Sequence, residues 1–243
     1  MKVAVITPYY KETIVQLERC HSSVAAQTHG CRHFMVADGH PNPALDAWDI
    51  EHLKLPHAHG DNGNTPRTIG GLSALNQGYD AFAYLDADNW YHPDHIQSLV
   101  ALVQRTGASV VFSDRFIVSP DGRMLVNAPE DSQDDFADTS CILHTRQAAR
   151  LIPVWAMMDQ AISPLCDRLL VAVARMFGLR HARSGQKTLY FESNYSAHYI
   201  ASGLPVPDKV NDSDPSALIA AHSEQRSLER LGFAPRFANV PRT

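Results

Sequence analysis

The chain has 243 residues, of which 44% are hydrophobic and 19% are charged, as is usual for a folded globular protein. This length suits one large α/β domain with a substantial core. The net charge of −5 gives no basic surface for nucleic acid, and no apolar run approaches the roughly 20 residues that cross a bilayer. The first apolar run is too short for a secretion signal and the cysteines lack CxxC spacing, so we expect a cytoplasmic protein without a transmembrane segment.

The first third of the chain has the pattern of strands that alternate with helices. Each predicted strand is a short apolar run, and Thr13 is a suitable N-cap for the first helix. Parallel strands joined by helices place their carboxyl ends at one edge of the sheet. We therefore predict strands at 2–6, 33–37, 53–55 and 81–85, with helices at 14–27 and 67–78.

The rest of the chain continues this alternation less regularly. An acid-rich segment at 129–138 is typical of a solvated loop, and a lid over a site is the alternative. We predict strands at 109–113, 139–144 and 188–191, a hairpin at 116–126, and helices from Pro93, at 146–151, at 167–178 and near 216–231. The predicted fold is a single α/β domain with a mixed, mostly parallel central sheet and helices on both faces.

Two carboxylates directly follow one of the predicted buried strands. Asp86 and Asp88 are separated by a single alanine, immediately after the apolar run 81–85. Like charges this close repel each other, and a cation bound to both would relieve the repulsion. Mg²⁺ and Mn²⁺ bind one or two carboxylates together with the oxygens of a substrate diphosphate. The motif therefore indicates a divalent metal site, although a solvated Asp-rich turn has the same pattern.

Polar residues also follow the first two predicted strands. The loop from Thr7 to Glu12 follows the first strand, and Asp38 follows the second. These residues would share one edge of the sheet with Asp86 and Asp88. The carboxylate of Asp38 only accepts hydrogen bonds, which favours a base with an imide N–H, such as uracil, thymine or guanine. We interpret His57 and His59 as part of a polar loop.

The order of these motifs resembles the family 2 glycosyltransferases, which have the GT-A fold. The resemblance covers roughly the first 95 residues in the family's order and spacing, which is more specific than a D-x-D motif alone. The matching segments are Val5–Glu12, Ser22–Thr28, Val36–Gly39, Gly63–Gly70 and Tyr84–Asn89. The resemblance implies a domain at 1–204 with a nucleotide-binding half (1–95) and an acceptor half (96–204), and residues 205–243 as a C-terminal helix and tail packed on it.

The resemblance implies a role for each matching polar position. We expect Asp86 to meet the ribose or the sugar and Asp88 to hold Mn²⁺ or Mg²⁺. We expect Arg67 near the diphosphate or the base, although Thr68 follows it where the family usually has Asn. Residues expected to contact the nucleotide are Thr7, Pro8, Tyr10 and Glu12, with Asp38 on the base. Ala37 departs from the family's frequent acid before Asp38, which leaves the base undetermined.

The acceptor half matches the family more loosely. An inverting transfer needs a carboxylate that takes the proton of the acceptor hydroxyl. Asp159 is our candidate base, with a helix-capping role as the alternative reading, and Asp167 is the alternative base. Trp155 suits either stacking on a sugar or burial in the core.

A late histidine supplies a third metal ligand in some members of the family. His198 follows the last predicted strand and is the candidate here, with simple packing among aromatic residues as the alternative. Asp114 and Arg115 either line the sugar pocket or pair at the surface.

The leading hypothesis is a metal-dependent, inverting hexosyltransferase. Its donor would be a UDP-, GDP- or dTDP-sugar, and its acceptor a carbohydrate or a lipid-linked hydroxyl. A lipid acceptor would allow peripheral membrane contact through the apolar face of the helix at 167–178. A nucleotidyltransferase and a non-catalytic nucleotide- or carbohydrate-binding module are the alternatives.

Overall fold

The computed structural model describes residues 1–125, 137–208, 210 and 224–232. The strands in these residues are β1 Val3–Tyr9, β2 Cys31–Ala37, β3 Glu51–Lys54, β4 Ala81–Tyr84, β5 Trp90–Tyr91, β6 Val110–Val118, β7 Ile142–Thr145 and β8 His181–Glu192. The α-helices are α1 Ile14–Ala25, α2 Asn64–Asn76, α3 His95–Thr106, α4 Val154–Met157, α5 Cys166–Met176, α6 Ser196–Ala201 and α7 Glu224–Arg230.

The strands form one eight-stranded sheet in the order β3-β2-β1-β4-β7-β6-β8-β5. The first four strands in this order are parallel to one another. β7 runs antiparallel between β4 and β6, β8 lies parallel to β6, and β5 closes the edge antiparallel to β8. The sheet is therefore mixed, and the carboxyl ends of β1, β2 and β4 lie at the same edge, as predicted from the sequence.

Helices cover both faces of the sheet. Val3 and Val5 of β1 pack in one apolar cluster with residues of α1 and α3. Ala4 and Ile6, which point to the opposite face, pack in a second cluster with residues of α2, α4 and α5. The alternation along a buried strand thus supplies a core on each side.

The ends of α1 and the position of α2 follow from individual residues. Thr13 and Gln16 form a capping box, in which the Thr13 side chain accepts from the Gln16 N–H and the Gln16 side chain accepts from the Thr13 N–H. Helix α2 lies very close to the sheet at Gly70, where an added Cβ would be 2.7 Å from Ile6 Cγ2. Glycine at this position therefore brings the first turn of α2 close to the end of β1.

Most predicted elements are confirmed, although several bounds differ and the short elements β5, α4 and α6 were not predicted. Strand β1 continues to Tyr9, so the first residues of the predicted loop are strand. The predicted hairpin at 116–126 is present as a short one at the end of the long strand β6, where Val118 and Met124 form an antiparallel bridge and the Leu125 N–H donates to the Ile117 carbonyl. Strand β8 begins at His181, earlier than predicted, because its polar first half pairs with β6 in spite of its exposure.

The last described helix packs on the same domain. Leu228 and Leu231 belong to the apolar cluster that contains α5. The rest of the helix predicted near 216–231, and most of the acid-rich segment at 129–138, lie outside the described residues. No helix among the described residues is long and apolar enough to span a bilayer.

Candidate active site

A cavity of about 670 Å³ opens at the carboxyl ends of β1, β2 and β4. The parallel strands contribute Pro8, Asp38 and the loop after β4 to its lining. The other side of the cavity is built from the first residues of α5 and the loop after β8. Residues that are distant in the sequence thus meet in one cleft. Predicted site residues in the lining are Pro8, Tyr10, Glu12, Asp38, Arg67, Asp86, Asp88 and His198.

Asp86 and Arg67 form an ion pair at the floor of the cavity. Arg67 Nη2 donates to Asp86 Oδ1 at 2.5 Å, and Arg67 itself is only 4% exposed. The other branch of the guanidinium, Nη1, donates to the Asn62 carbonyl at 2.7 Å and to Asn64 Oδ1 at 3.1 Å. The guanidinium also lies over the ring of the buried Trp155, 5.2 Å from its centroid. The pair is therefore fixed in position, and Trp155 is a core residue that does not line the cavity.

Asp88 is surrounded by other carboxylates. Burial, together with the negative charges of Asp86, Glu192 and Glu12, raises the pKa of Asp88 to about 8. Arg19 holds the backbone at this point, because its Nη2 donates to the Asp88 carbonyl at 2.8 Å and also pairs with Glu192. These surroundings disfavour the ionised form of Asp88. A nearby cation would stabilise that form.

Asp88 and His198 have donor atoms that suit a divalent cation whose coordination is completed by oxygens of the substrate. Asp88 and His198 line the same cavity, and His198 Nδ1 shares a hydrogen bond of 2.7 Å with Ser193 Oγ. This hydrogen bond orients the His198 ring, which is what the partners of metal-bound histidines do. No three His, Cys, Asp or Glu side chains in the part of the chain that is described form a metal site by themselves. Diphosphate oxygens would have to complete the coordination, as is usual for Mg²⁺.

Asp38 lies in the part of the cavity next to β3. It is 5% exposed, and both of its carboxylate oxygens accept from the backbone N–H of His59 at 3.1 Å. In addition, His59 Nδ1 lies 2.6 Å from Asp38 Oδ1.

At the mouth of the cavity, Tyr10 is 42% exposed and its N–H donates to Glu12 Oε2 at 2.6 Å. Tyr9, by contrast, is buried, and its hydroxyl contacts His52.

Thr7 was expected to contact the nucleotide, but its side chain does not line the cavity. It is fully buried, and its hydroxyl lies 2.8 Å from His33 Nε2. The reason is the alternation along β1, which turns Thr7 toward the α1 face of the sheet.

The structure does not bring Asp159 into the cavity either. Its side chain is exposed and accepts from the Ala161 N–H at 2.9 Å, which closes a turn. Asp167, the alternative base, lines the cavity in the first turn of α5. Burial raises the pKa of Asp167 to about 7, and the negative charge of Asp138 contributes to this shift. A pKa near neutrality suits a general base.

Asp138 is a site residue that sequence reasoning missed. It is buried in the cavity wall, where it accepts from Arg115 Nη1 at 2.5 Å and from the Ser140 N–H at 2.9 Å. No local pattern indicates this role, because Asp138 is the last acid of a segment that has the composition of a solvated loop. Of the adjacent pair on β6, Arg115 lines the cavity, whereas Asp114 pairs with Arg183 at 2.7 Å.

Comparisons with known proteins agree with this architecture. Residues 64–143 match the sequence model described as glycosyl transferase family 2. A comparison with curated protein sequences finds no match. The matched segment contains Arg67, Asp86, Asp88 and Asp138, so it includes part of the lining of the described cavity.

Solved structures of the S. aureus protein TarS share the fold. The complex of TarS 1–349 with UDP is 14% identical, covers 94% of this chain and 72% of that chain, and gives a TM-score of 0.61. The complex of TarS 1–349 with UDP-GlcNAc is 14% identical and gives a TM-score of 0.56 over 94% of this chain and 73% of that chain. A longer TarS structure is 13% identical and gives a TM-score of 0.62. The match covers 97% of this chain but only 44% of that chain. The resemblance to the family 2 glycosyltransferases is thus confirmed, and the protein has a GT-A fold.

Proposed function

We propose that the protein transfers a sugar from a nucleoside diphosphate sugar to an acceptor hydroxyl, with inversion and with the help of Mn²⁺ or Mg²⁺. The observation that carries this proposal is that carboxylates from the sheet and a carboxylate from helix α5 line the same cavity. Asp86 and Asp88 lie on the sheet side, and Asp167 lies on the helix side. The TarS complexes with UDP and UDP-GlcNAc support a nucleotide sugar as the donor.

The sheet side of the cavity would bind the donor. Asp38 would accept a hydrogen bond from the base, while Pro8, Tyr10 and Glu12 would line the nucleoside. Asp86, held by Arg67, would bind the ribose or the sugar. Asp88 and His198 would hold the divalent ion together with the diphosphate, and the ion would stabilise the charge of the leaving group.

The helix side would supply the base. Ionised Asp167 would take the proton of the acceptor hydroxyl as its oxygen forms a bond to the anomeric carbon of the sugar. The bond from that carbon to the diphosphate breaks, and the nucleoside diphosphate leaves with the electron pair. Attack from the face opposite the leaving group inverts the anomeric centre. Asp159 has no part in this step, because it lies outside the cavity.

The test compares two Asp→Asn substitutions in the acceptor half. Asp167→Asn removes the proton acceptor and should lower the rate of nucleoside diphosphate release by ~10²–10⁴ while the affinity for the donor stays near that of the wild type. Release is measured with a panel of nucleoside diphosphate sugars and Mn²⁺, and binding by calorimetry. Asp159→Asn is the matched control and should keep near-wild-type turnover.

Three outcomes would contradict the proposal in different ways. Loss of turnover in Asp159→Asn, with Asp167→Asn unaffected, would return the role of the base to Asp159. A parallel loss of donor affinity in Asp167→Asn would indicate a structural role for that residue. Tight nucleotide binding without turnover in the wild type would favour a non-catalytic binding module.

A further inference from the structure

The contact between Asp38 and His59 limits what Asp38 can offer to a base. An ionised carboxylate only accepts hydrogen bonds, so His59 Nδ1 is the donor of the 2.6 Å contact to Asp38 Oδ1. The backbone N–H of His59 lies 3.1 Å from both oxygens. Asp38 Oδ1 therefore already accepts from two donors, whereas Oδ2 shares only the backbone N–H.

The loop that carries His59 is built to make this contact. Gly39 has a φ of 76°, and a Cβ at this position would lie 2.3 Å from the backbone nitrogen of Ala58. Only glycine lets the two chain segments approach this closely. On the other side of the loop, Gln160 Nε2 donates to the His59 carbonyl at 3.2 Å. The backbone around His59 is therefore held on one side by the close approach of Gly39 and on the other by the side chain of Gln160.

Each oxygen of a carboxylate has two lone pairs in its plane, so the acceptor capacity of Asp38 can be counted. The two donors of His59 use both lone pairs of Oδ1, and the shared backbone N–H uses one of Oδ2. This count leaves one acceptor position, on Oδ2, and Asp38 lines the cavity. Uracil and thymine present a single ring N–H, whereas guanine presents a ring N–H and an adjacent amino group that together need both oxygens.

We propose that His59 is a specificity-determining residue, which occupies one oxygen of Asp38 and thereby selects uracil or thymine nucleotides over guanine nucleotides. The inference rests on the proposed function, because it takes Asp38 as the group that binds the base. His59 acts through Asp38 and is a positioning residue. Guanine would have to leave its amino group unpaired against an occupied oxygen, or displace the His59 ring.

Inosine diphosphate separates this effect from the size of the base. Hypoxanthine has the ring system and the single ring N–H of guanine but lacks the amino group. In the wild type with Mn²⁺, we expect UDP to bind and IDP to bind about 10-fold more tightly than GDP. Dissociation constants are measured by calorimetry for UDP, IDP, GDP and CDP, of which CDP lacks the ring N–H altogether and should bind weakly.

His59→Ala removes the side-chain donor and frees one lone pair of Oδ1, while the backbone N–H remains. The ratio of GDP to IDP affinity should then rise about 10-fold, because the amino group gains an acceptor. His57→Ala is the matched control, since the His57 ring packs 5.0 Å from the His59 ring. We expect this variant to keep the wild-type ratio.

The outcomes distinguish the two proposals. If UDP binds but GDP binds the wild type as tightly as IDP, or if His59→Ala leaves the ratio unchanged, the role of His59 is refuted and the proposed function stands. If UDP, IDP and GDP all fail to bind in the presence of Mn²⁺, both proposals are overturned. The wild-type comparison of IDP with GDP needs no variant and so does not depend on the folding of His59→Ala.

Discussion

A carboxyl group is a more effective general base near neutral pH when its surroundings raise its pKa toward that pH. Burial raises the pKa of Asp167 to about 7, and the negative charge of Asp138 is the next contribution. Asp138 is fixed by Arg115, whose guanidinium also lies over the ring of Phe191 at 4.4 Å. The acidity of the proposed base therefore depends on a neighbour that would not touch the reacting atoms.

Substitution of Asp138 tests this dependence through the pH profile. Asp167 is active when ionised, so kcat/KM should rise with pH as Asp167 loses its proton, around pH 7 in the wild type. Asp138→Asn removes a negative charge and lowers the pKa of Asp167, so the rising limb should move to lower pH. The measurement is kcat/KM from pH 5 to 9.

The control for this prediction is Asp114→Asn. Asp114 pairs with Arg183 and does not line the cavity, so its substitution should leave the limb in place. If the rising limb of kcat/KM in Asp138→Asn stays at the wild-type pH or moves to higher pH, Asp138 does not raise the pKa of Asp167.

Individual cavity residues could be predicted from the sequence when they directly follow a recognisable buried strand. Asp38, Asp86 and Asp88 each follow an apolar run, so the sheet topology alone brings them to the cavity. The choice between Asp159 and Asp167 could not be made in this way, because both occur near helix starts and only the packing of α5 decides which one reaches the cavity. The same holds for His59, whose contact depends on a loop.

Helix α2 shows how a single glycine sets the position of a site residue. A Cβ at Gly70 would be 2.7 Å from Ile6 Cγ2 and 3.0 Å from Val36 Cγ2, both in the buried core. One turn earlier, Arg67 reaches Asp86 at 2.5 Å. The close approach of α2 to the sheet therefore contributes to the geometry of the ion pair.

We expect Gly70→Ala to destabilise the protein, although alanine is the better helix former. Overpacking typically costs ~1–3 kcal/mol, and the gain in helix propensity is ~1 kcal/mol. The free energy of unfolding should fall by up to about 2 kcal/mol in urea denaturation. Nucleotide affinity should fall as well, because α2 carries Arg67.

Gly30→Ala is the matched substitution at an open position. An added Cβ at Gly30 has no heavy atom within 4 Å, so this variant should change the unfolding free energy by no more than about 0.5 kcal/mol. Equal or greater stability of Gly70→Ala relative to the wild type would contradict the packing argument.

Strands and helices could be predicted where their buried apolar residues recur in the sequence with a clear period. The parallel strands β1, β2 and β4 are fully apolar along most of their length, and α1 has a recognisable cap. The first half of β8 was missed because it is polar and largely exposed, and its strand conformation comes from pairing with β6. Pairing partners distant in the sequence leave no local signal.

At the scale of the whole molecule, the cavity lies between two differently built parts of one sheet. The parallel strands supply Asp38, Asp86 and Asp88, whereas the antiparallel part and α5 supply Asp138 and Asp167. The first group would hold the donor and the second would act on the acceptor. The sequence resemblance was close for the first group, whose predicted residues line the cavity, and loose for the second, where Asp159 does not.

If Asp88 holds a divalent ion and, through it, the diphosphate of the donor, as we propose, nucleotide binding must depend on that ion. The most direct measurement is the dissociation constant of UDP with Mn²⁺ and with EDTA, for the wild type and for Asp88→Ala. We predict that EDTA weakens binding to the wild type by ~10-fold or more, and that Asp88→Ala binds weakly with or without the metal. Tight binding of UDP to the wild type that is insensitive to EDTA, or an undiminished effect of Mn²⁺ in Asp88→Ala, would contradict this proposal.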